Sequence, residues 1–265
     1  MSRIAGAFGP NQLALFPYLM AGYPDGQSSA ELARTIIAAV ADGLEIGIPF
    51  SDPMADGLTL QRANEQALGH GATTLSALHL AQTARAASAS VPIIFMSYYN
   101  PIMAFGEGEF CRTAKEAGAD GVIVPDLPPE EAIPMRQACQ SAGLDLIFLL
   151  APTSTAERIE LVAGQAQGFI YCVGLVGVTG ARSEISTDLE DFLARVRRAT
   201  SIPLVVGFGI SKAEHVRALH GRADGVIVAS ALADLIEATP PPQRSEAIAA
   251  RIRELKAATE LSPIN

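Results

Sequence analysis

The sequence of 265 residues has few cysteines and no recognisable set of metal ligands. Cys111, Cys139 and Cys172 are odd in number and lie far apart, so neither a disulfide framework nor the paired cysteines of a zinc site are present. The four histidines fall in or beside helical stretches without ligand spacing. We therefore expect no metal site, and inert thiols in the reducing cytoplasm.

Positive charge and long apolar runs are also scarce. The 19 Lys and Arg residues against 28 Asp and Glu residues give a net charge of -9, which argues against nucleic acid or an anionic membrane as a partner. No apolar run reaches the roughly 20 residues that span a bilayer, and the first ten residues lack the pattern of a signal peptide. A small anionic ligand stays open, because backbone N–H groups can hold a phosphate without net positive charge.

The sequence instead alternates apolar runs with Ala-rich helical stretches. The eight runs cover 14–22, 43–48, 91–98, 121–126, 144–152, 168–173, 202–209 and 224–230. Strands that are apolar on both faces and separated by helices indicate a parallel sheet. Eight such units predict an α/β fold of the (βα)8 TIM-barrel type, as a single domain over residues 1–265. The rival is a doubly wound open sheet, whose dinucleotide-binding form needs G-x-G-x-x-G where this chain has MAGYPDG.

A short phrase that contains glycine recurs where the predicted helices give way to strands. The phrase is ADG at 41–43, AGADG at 117–121, SAG at 141–143 and ADG at 223–225. Glycine commonly ends helices in a left-handed conformation. We therefore predict that the glycine of each phrase stops the preceding helix.

A carboxylate interrupts the second apolar run, LEIGIPFSDPMADG at 44–57. Because side chains alternate along a strand, Leu44, Ile46 and Ile48 share one face and Glu45 and Gly47 share the other. The branched side chains of the first face suit the outside of the barrel, which helices cover. Glu45 then points into the barrel mouth, and Gly47 beside it leaves space for a ligand. Burial there predicts a raised pKa for Glu45, suited to a group that gives and takes a proton. A structural ion pair with a neighbouring Arg or Lys is the alternative.

Three further acids follow strand ends, and each has a structural alternative. Asp52 and Asp56 lie in a Pro- and Gly-rich loop where aspartate is common as a turn or cap residue. Asp126 closes the fourth run, where it either caps the next helix or lines the pocket.

Two glycine-rich stretches, GLVGVTG (174–180) and GFG (207–209), follow the sixth and seventh strands, and AS (229–230) follows the eighth and should begin a helix. TIM barrels often bind phosphate with the loops after strands 7 and 8 and a helix N-terminus, and Ser230 adds a hydroxyl there. Four aromatic residues fall at the same rim: Tyr18, Tyr98, Tyr171 and Phe208. Each alone fits ordinary packing, but with a buried acid and a phosphate site they suggest a pocket for a flat apolar group that carries a phosphate.

Several segments together resemble one known family. LEIGIPFSDPMADG, MSYYNPI, GVIVPDLPPEEA, LLAPTSTAERI, FIYCVGLVGVTGAR and LVVGFGISK are similar, in order, to the signature segments of the tryptophan synthase alpha subunit, from about residue 17 to residue 236. The resemblance implies a cytoplasmic lyase that cleaves indole-3-glycerol phosphate to indole and glyceraldehyde 3-phosphate. It implies no cofactor in this subunit; pyridoxal phosphate belongs to a beta subunit that receives indole in an α2β2 complex.

The resemblance also assigns residue roles. Glu45 falls on the catalytic glutamate that protonates the indole ring carbon, and Asp56 falls on the aspartate that accepts the indole N–H. The substrate-binding positions are Tyr18, Tyr98, Asp126, Tyr171 and Thr179. The phosphate-binding positions are Gly180, Phe208, Gly209, Ala229 and Ser230.

Four residues depart from the family pattern. Leu58 stands in place of proline, Ala229 in place of glycine, and Gly174 and Leu175 in place of more polar residues. These departures bear on affinity and partner coupling rather than on chemistry.

Two alternatives to a catalytic alpha subunit stay open. One is a lyase that acts alone and releases free indole; the other is a weakly active barrel that mainly activates the beta subunit.

Overall fold

The computed structural model describes residues 2–174, 186–207 and 209–261. Its strands all lie within the eight predicted apolar runs and pair in parallel. They are β1 (Ala14–Met20), β2 (Leu44–Gly47), β3 (Ile93–Met96), β4 (Gly121–Ile123), β5 (Asp145–Ile147), β6 (Leu149–Leu150), β7 (Ile170–Cys172), β8 (Leu204–Val206) and β9 (Gly225–Val228). The predicted parallel sheet is therefore confirmed.

The fifth predicted run forms two short strands, which lie at the two ends of the strand order β5-β4-β3-β2-β1-β9-β8-β7-β6. β5 pairs with β4 and β6 pairs with β7, and only Phe148 separates them in the chain. The Phe148 carbonyl accepts a hydrogen bond from Tyr171 N–H (3.0 Å). One chain segment thus joins both ends of the sheet, which closes it into the predicted barrel.

Helices follow the strands and cover the outside of the barrel. They are α1 (Arg3–Gly6), α2 (Gly26–Ala38), α3 (Leu58–Gly69), α4 (Thr74–Ala87), α5 (Tyr99–Phe105), α6 (Glu107–Glu116), α7 (Ile133–Ala142), α8 (Ala156–Ala163), α9 (Thr187–Ala199), α10 (Ala213–Arg217), α11 (Ser230–Ala238) and α12 (Arg244–Ala257), with a 3-10 turn at Pro241–Gln243. Asp25, Thr155 and Ser186 cap three of them, each accepting a backbone N–H in the first turn. Among the described residues, no helix is both long and apolar enough to cross a membrane.

The recurring glycine phrase has two structural roles rather than the single one predicted. Gly143 ends α7 in the left-handed conformation (φ 70°), as expected. Gly43 does not end α2, because the chain already turns at Val40 (φ 64°). A Cβ at Gly43 would lie 2.2 Å from the ring of Phe16, so this glycine makes room for an aromatic side chain inside the barrel.

Aromatic side chains fill the barrel at its N-terminal end. The rings of Phe16 and Phe169 are 5.6 Å apart, and Phe8 packs against both. Phe16 and Tyr18 lie on the same face of β1, two residues apart, so Tyr18 is one layer closer to the C-terminal end. The interior is therefore closed below the level at which Glu45 lies.

Candidate active site

The pairing of β1 with β2 sets the floor of the candidate site. Tyr18 pairs with Glu45 in this register, and both side chains line a cavity at the C-terminal end of the barrel. A Cβ at Gly47 would lie 1.9 Å from the Tyr18 hydroxyl oxygen. The space at Gly47, expected to receive a ligand, is therefore occupied by the Tyr18 hydroxyl. Glycine in β2 allows a ring from β1 to cross in front of the strand.

Glu45 is a buried acid without a counter-ion in the part of the chain that the structure describes. It is only 2% exposed, and within residues 2–174, 186–207 and 209–261 its Oε2 atom has no hydrogen-bond partner. No Arg or Lys in these ranges forms an ion pair with it, which removes the structural alternative there. Burial, and then the nearby charge of Asp56, raise the pKa of Glu45 to about 8. The carboxyl therefore carries its proton at neutral pH.

Asp56 lies at the end of the loop after β2, and three side chains hold the loop. Asn64 Nδ2 donates to Asp56 Oδ2 (2.9 Å), and Gln61 Nε2 donates to the Asp56 carbonyl (2.8 Å). The backbone N–H of Ala55 donates to the Tyr98 hydroxyl (2.8 Å). Both Gln61 and Asn64 belong to α3, so the helix that begins after the loop also fixes the acid within it.

The Asp56 carboxyl is buried but better solvated by polar groups than Glu45. Burial raises its pKa to about 6, against the opposing effect of hydrogen bonds from Asn64 and Tyr98. At neutral pH Asp56 is therefore mostly ionised while Glu45 is mostly protonated. Two carboxyls whose environments separate their pKa values in this way can serve as an acid and an acceptor.

The cavity has a volume of about 400 Å³ and joins the two acids to an apolar wall. Leu58 and Leu60 of α3 line part of it. Other apolar members come from strands or from the segments that follow strands: Met96, Ile123, Pro125, Leu149, Val173, Ile210 and Ile227. A few polar groups in a mostly apolar cavity are typical of a small-molecule site. This lining suits an apolar group beside the two acids.

Another part of the cavity lining has features that suit an anion. Gly209, Ala229 and Ser230 line it, and Ser230 is the first residue of α11, as predicted. The first backbone N–H groups of a helix have no partner within the helix and favour negative charge. Gly209 adopts a left-handed conformation (φ 74°), which glycine accommodates without strain.

Tyr171 forms part of the same wall next to β8. Its hydroxyl donates to the Gly207 carbonyl (3.0 Å), and a Cβ at Gly207 would lie 2.1 Å from that hydroxyl oxygen. Burial, and then the charges of Glu45 and Asp56, raise the pKa of Tyr171. Its hydroxyl therefore stays protonated and fixed beside the acids.

Two predicted pocket residues lie outside this cavity, and a third acid is on the surface. Tyr98 packs against Phe50 (5.5 Å between ring centroids) and supports the loop rather than the cavity wall. Asp126 Oδ1 accepts the Tyr99 N–H (2.9 Å) in the first turn of α5, so it caps a helix that precedes it in the chain and not the next helix, which was one of its two predicted roles. Asp52 is exposed and bonds to the adjacent Ser51. Thr179, Gly180 and Phe208 lie outside the described residues.

A family model described as tryptophan synthase alpha chain matches residues 5–260. The chain belongs to the tryptophan synthase alpha chain family. It is therefore a lyase of tryptophan biosynthesis that cleaves indole-3-glycerol phosphate, which confirms the activity expected from the resemblance.

Individual relatives match over almost their whole length. The tryptophan synthase alpha chain of Roseiflexus sp. (strain RS-1) is 53% identical, with 91% of this chain and 94% of the relative covered. That of Chloroflexus aurantiacus is 46% identical, with 97% and 98% covered. Among solved structures, tryptophan synthase subunit alpha from Legionella pneumophila str. Paris has a TM-score of 0.87 at 36% identity, with 98% of both chains covered. An aminoacrylate-bound tryptophan synthase from Mycobacterium tuberculosis has a TM-score of 0.88 at 32% identity, covering 98% of this chain and 100% of that one.

Three of the four departures from the alpha chain pattern lie within the described residues. Ala229 precedes α11 with φ -116°, a negative value, so this position does not require the left-handed conformation that favours glycine. Leu58 is the first residue of α3 and 75% exposed, so the proline it replaces would supply rigidity rather than packing. Gly174 is buried at the end of a described range, and Leu175 lies outside those ranges.

Asn64 is the functional residue that sequence reasoning missed. It lies with Ala63 and Ala67 on the buried face of α3 and is 2% exposed. A polar residue on the apolar face of a helix is the signal that could have revealed it, because a buried amide needs partners for all its polar atoms. Asn64 lies eight residues after Asp56 in the sequence, too far for the two to form a recognisable turn or cap motif.

Proposed function

We propose that Glu45 and Asp56 carry out the cleavage of indole-3-glycerol phosphate as a general acid–base and an N–H acceptor. The observation that carries the proposal is a buried carboxyl without a counter-ion among the described residues, on the wall of an apolar cavity, with a second carboxyl close by. The protonated Glu45 gives its proton to the indole ring carbon that bears the glycerol chain. Asp56 accepts the indole N–H and stabilises the positive charge that the ring then carries.

The second half of the reaction returns the proton. Ionised Glu45 takes the proton of the glycerol hydroxyl next to the ring, the carbon–carbon bond breaks, and its electron pair restores the aromatic indole. The hydroxyl becomes the aldehyde of glyceraldehyde 3-phosphate. Glu45 ends as it began, protonated, so no external acid or base is consumed. Acid–base catalysis of this kind contributes about 10²–10⁴ in rate.

We propose that the phosphate binds at the end of the cavity formed by Gly209, Ala229 and Ser230, and in the family pattern also by Gly180 and Phe208. The free N–H groups at the start of α11 support this placement. Binding energy from the phosphate then holds the reacting carbons between the acids. Tyr18, Tyr171 and Thr179 would complete the substrate pocket, and Tyr98 and Asp126 would act on its loops.

A beta subunit is the partner that we propose for this chain, in an α2β2 assembly with pyridoxal phosphate in the partner. Pyridoxal phosphate is held as a Schiff base with lysine, and no lysine lines the cavity within the described residues.

We propose a single domain over residues 1–265, supported by the one continuous hydrophobic core of the described ranges. We also propose a cytoplasmic location.

The deciding experiment is an assay of indole release from indole-3-glycerol phosphate by the wild type and by Glu45→Gln. We expect Glu45→Gln to lower kcat by at least about 10²-fold while the substrate still binds, because the amide cannot give and take a proton. Near-normal turnover in a folded Glu45→Gln protein would rule out the role of Glu45. Strong stimulation by an added beta subunit would favour the α2β2 assembly; high turnover without one would favour a lyase that acts alone.

A further inference from the structure

Asn64 contacts both ends of the loop that carries Asp56. Its Oδ1 atom accepts the backbone N–H of Phe50 (3.0 Å), shortly after β2. Its Nδ2 atom donates to Asp56 Oδ2 (2.9 Å) and to the Leu60 carbonyl (3.0 Å). The amide therefore uses both of its donors and an acceptor within one small region, and it is almost completely buried.

These three bonds fix the Asp56 carboxylate relative to the barrel strand that carries Glu45. Phe50 follows Glu45 by five residues, so Asn64 ties the carboxylate to the start of the loop as well as to α3. A rigid helix at the base of a loop acid reduces its freedom to rotate away from a ligand. The Leu60 carbonyl in turn holds the amide in the orientation that points one N–H at Asp56.

We propose that Asn64 is a positioning residue, which holds the Asp56 carboxylate in the geometry that accepts the indole N–H. The inference deepens the function proposed above and rests on the role of Asp56 stated there. Asn64 touches neither the substrate nor the reacting atoms in this scheme; it acts through Asp56.

The same contact favours the ionised form of Asp56. A donor N–H stabilises a carboxylate, whereas the other groups around Asp56 oppose or only partly assist ionisation. Those groups are the carboxyl of Glu45 on β2 and the hydroxyls of Tyr18 on β1, Tyr171 on β7 and Tyr98 before α5. Without Asn64, Tyr98 alone is left to lower the pKa of Asp56 against burial.

The test measures the pKa of the Asp56 carboxyl directly, by ¹³C NMR titration of the free enzyme with the signal assigned through Asp56→Asn. Rate profiles alone are insufficient, because the phosphate of the substrate also has a pKa of about 6. We expect Asn64→Leu, which is of similar size but has no donor, to raise the pKa of Asp56 by about one unit. We also expect kcat at pH 7 to fall about tenfold or more with KM changed less than about threefold, because the phosphate end of the cavity is intact.

Gln61→Leu is the matched control on the same helix. It removes the hydrogen bond to the backbone carbonyl of Asp56 and leaves the carboxylate contacts in place. We expect the pKa of Asp56 in Gln61→Leu to stay within about 0.3 units of the wild-type value. An equal rise in both variants would mean that any loosening of the loop has this effect, and it would overturn the specific role of Asn64. An unchanged pKa in folded Asn64→Leu would overturn it as well.

Asn64→Asp keeps the test decisive if Asn64→Leu does not fold. It preserves the shape and the acceptor for the Phe50 N–H but replaces the donor by a second carboxyl, so we expect the pair to bind a proton at higher pH than Asp56 does in the wild type. An apparent pKa that is unchanged or lower would contradict the proposal. Failure of the proposed function has a different signature: Asp56→Asn would retain turnover, or the pKa of Asp56 would rise without any loss of rate.

Discussion

At the residue scale, the reactivity of the site follows from how two carboxyls are buried. Glu45 has no partner on Oε2 among the described residues, while Asp56 receives the Asn64 amide. Burial and the charge of Asp56 raise the pKa of Glu45 to about 8, whereas hydrogen bonds from Asn64 and Tyr98 limit the rise for Asp56 to about 6. The deeper burial of Glu45 and the two hydrogen bonds to Asp56 together decide which acid keeps its proton at pH 7.

This separation predicts a bell-shaped pH dependence of kcat/KM. We expect activity to fall above about pH 8 as the free enzyme loses the Glu45 proton, and below about pH 6 as Asp56 and the substrate phosphate gain protons. Steady-state rates across both pKa values would measure both limbs. The alkaline limb is the diagnostic one, and its absence up to about two units above the pKa of Glu45 would contradict the assignment of this residue as the acid.

The sequence made Glu45 predictable because its position depends only on the period of two along a strand. The sequence could not show what occupies the space at Gly47, because the Tyr18 hydroxyl that fills it comes from the neighbouring strand. Asp56 was ambiguous for a related reason. Its role depends on Asn64 and Tyr98, which approach it from separate elements, and nothing in the local turn sequence encodes those contacts.

At the element scale, the strands were predictable and the break between β5 and β6 was not. The run LDLIFLLAP is almost continuously apolar, yet the pairing partner changes at Phe148 because the segment must meet β4 on one side and β7 on the other. Closure of the sheet imposes that change, and no local preference of the residues encodes it.

Two helices connect the ends of the cavity. Thr59 Oγ1 on α3 donates to Asp234 Oδ1 on α11 (3.0 Å), and Arg62 also donates to Glu237 (3.2 Å). α3 carries the residues that hold Asp56, and α11 begins at the proposed phosphate site. The helix that holds Asp56 and the helix at the proposed phosphate site are thus packed against each other.

The start of α11 gives a prediction for this element. We expect Ser230→Asp to weaken binding of glycerol phosphate by about tenfold or more, because a second negative charge at the helix N-terminus repels the phosphate. Aspartate is favourable in the first turn of a helix, so the variant should fold. Ser230→Asn, which is of similar size and uncharged, is the control. Calorimetry that gave equal affinities for the two variants would exclude the proposed phosphate site.

At the scale of the whole molecule, a barrel that buries an uncompensated acid should lose stability as the pH rises. In the unfolded chain Glu45 ionises near the ordinary pKa of a glutamate, 4.5, whereas the folded protein holds the proton until about pH 8. The contribution is therefore fully present below pH 4.5 and declines as the pH rises towards 8. Above that range the free energy of unfolding is lower by on the order of 5 kcal/mol than it is below pH 4.5.

Glu45→Gln should remove this loss, since glutamine has the same shape and no proton to release. We expect the thermal midpoint of Glu45→Gln to equal that of the wild type near pH 4.5 and to exceed it by about 10 °C or more just above pH 8. Glu65→Gln, at an exposed glutamate of α3, should follow the wild type at both pH values. A wild type as stable as Glu45→Gln at the higher pH would mean that the acid is compensated in solution, and a poised proton donor at position 45 would then be untenable. The burial that raises the pKa of Glu45 for catalysis is thus expected to destabilise the fold at high pH. Calorimetric melting of the three proteins at the two pH values distinguishes this effect of ionisation from a change in packing, which would be the same at both pH values.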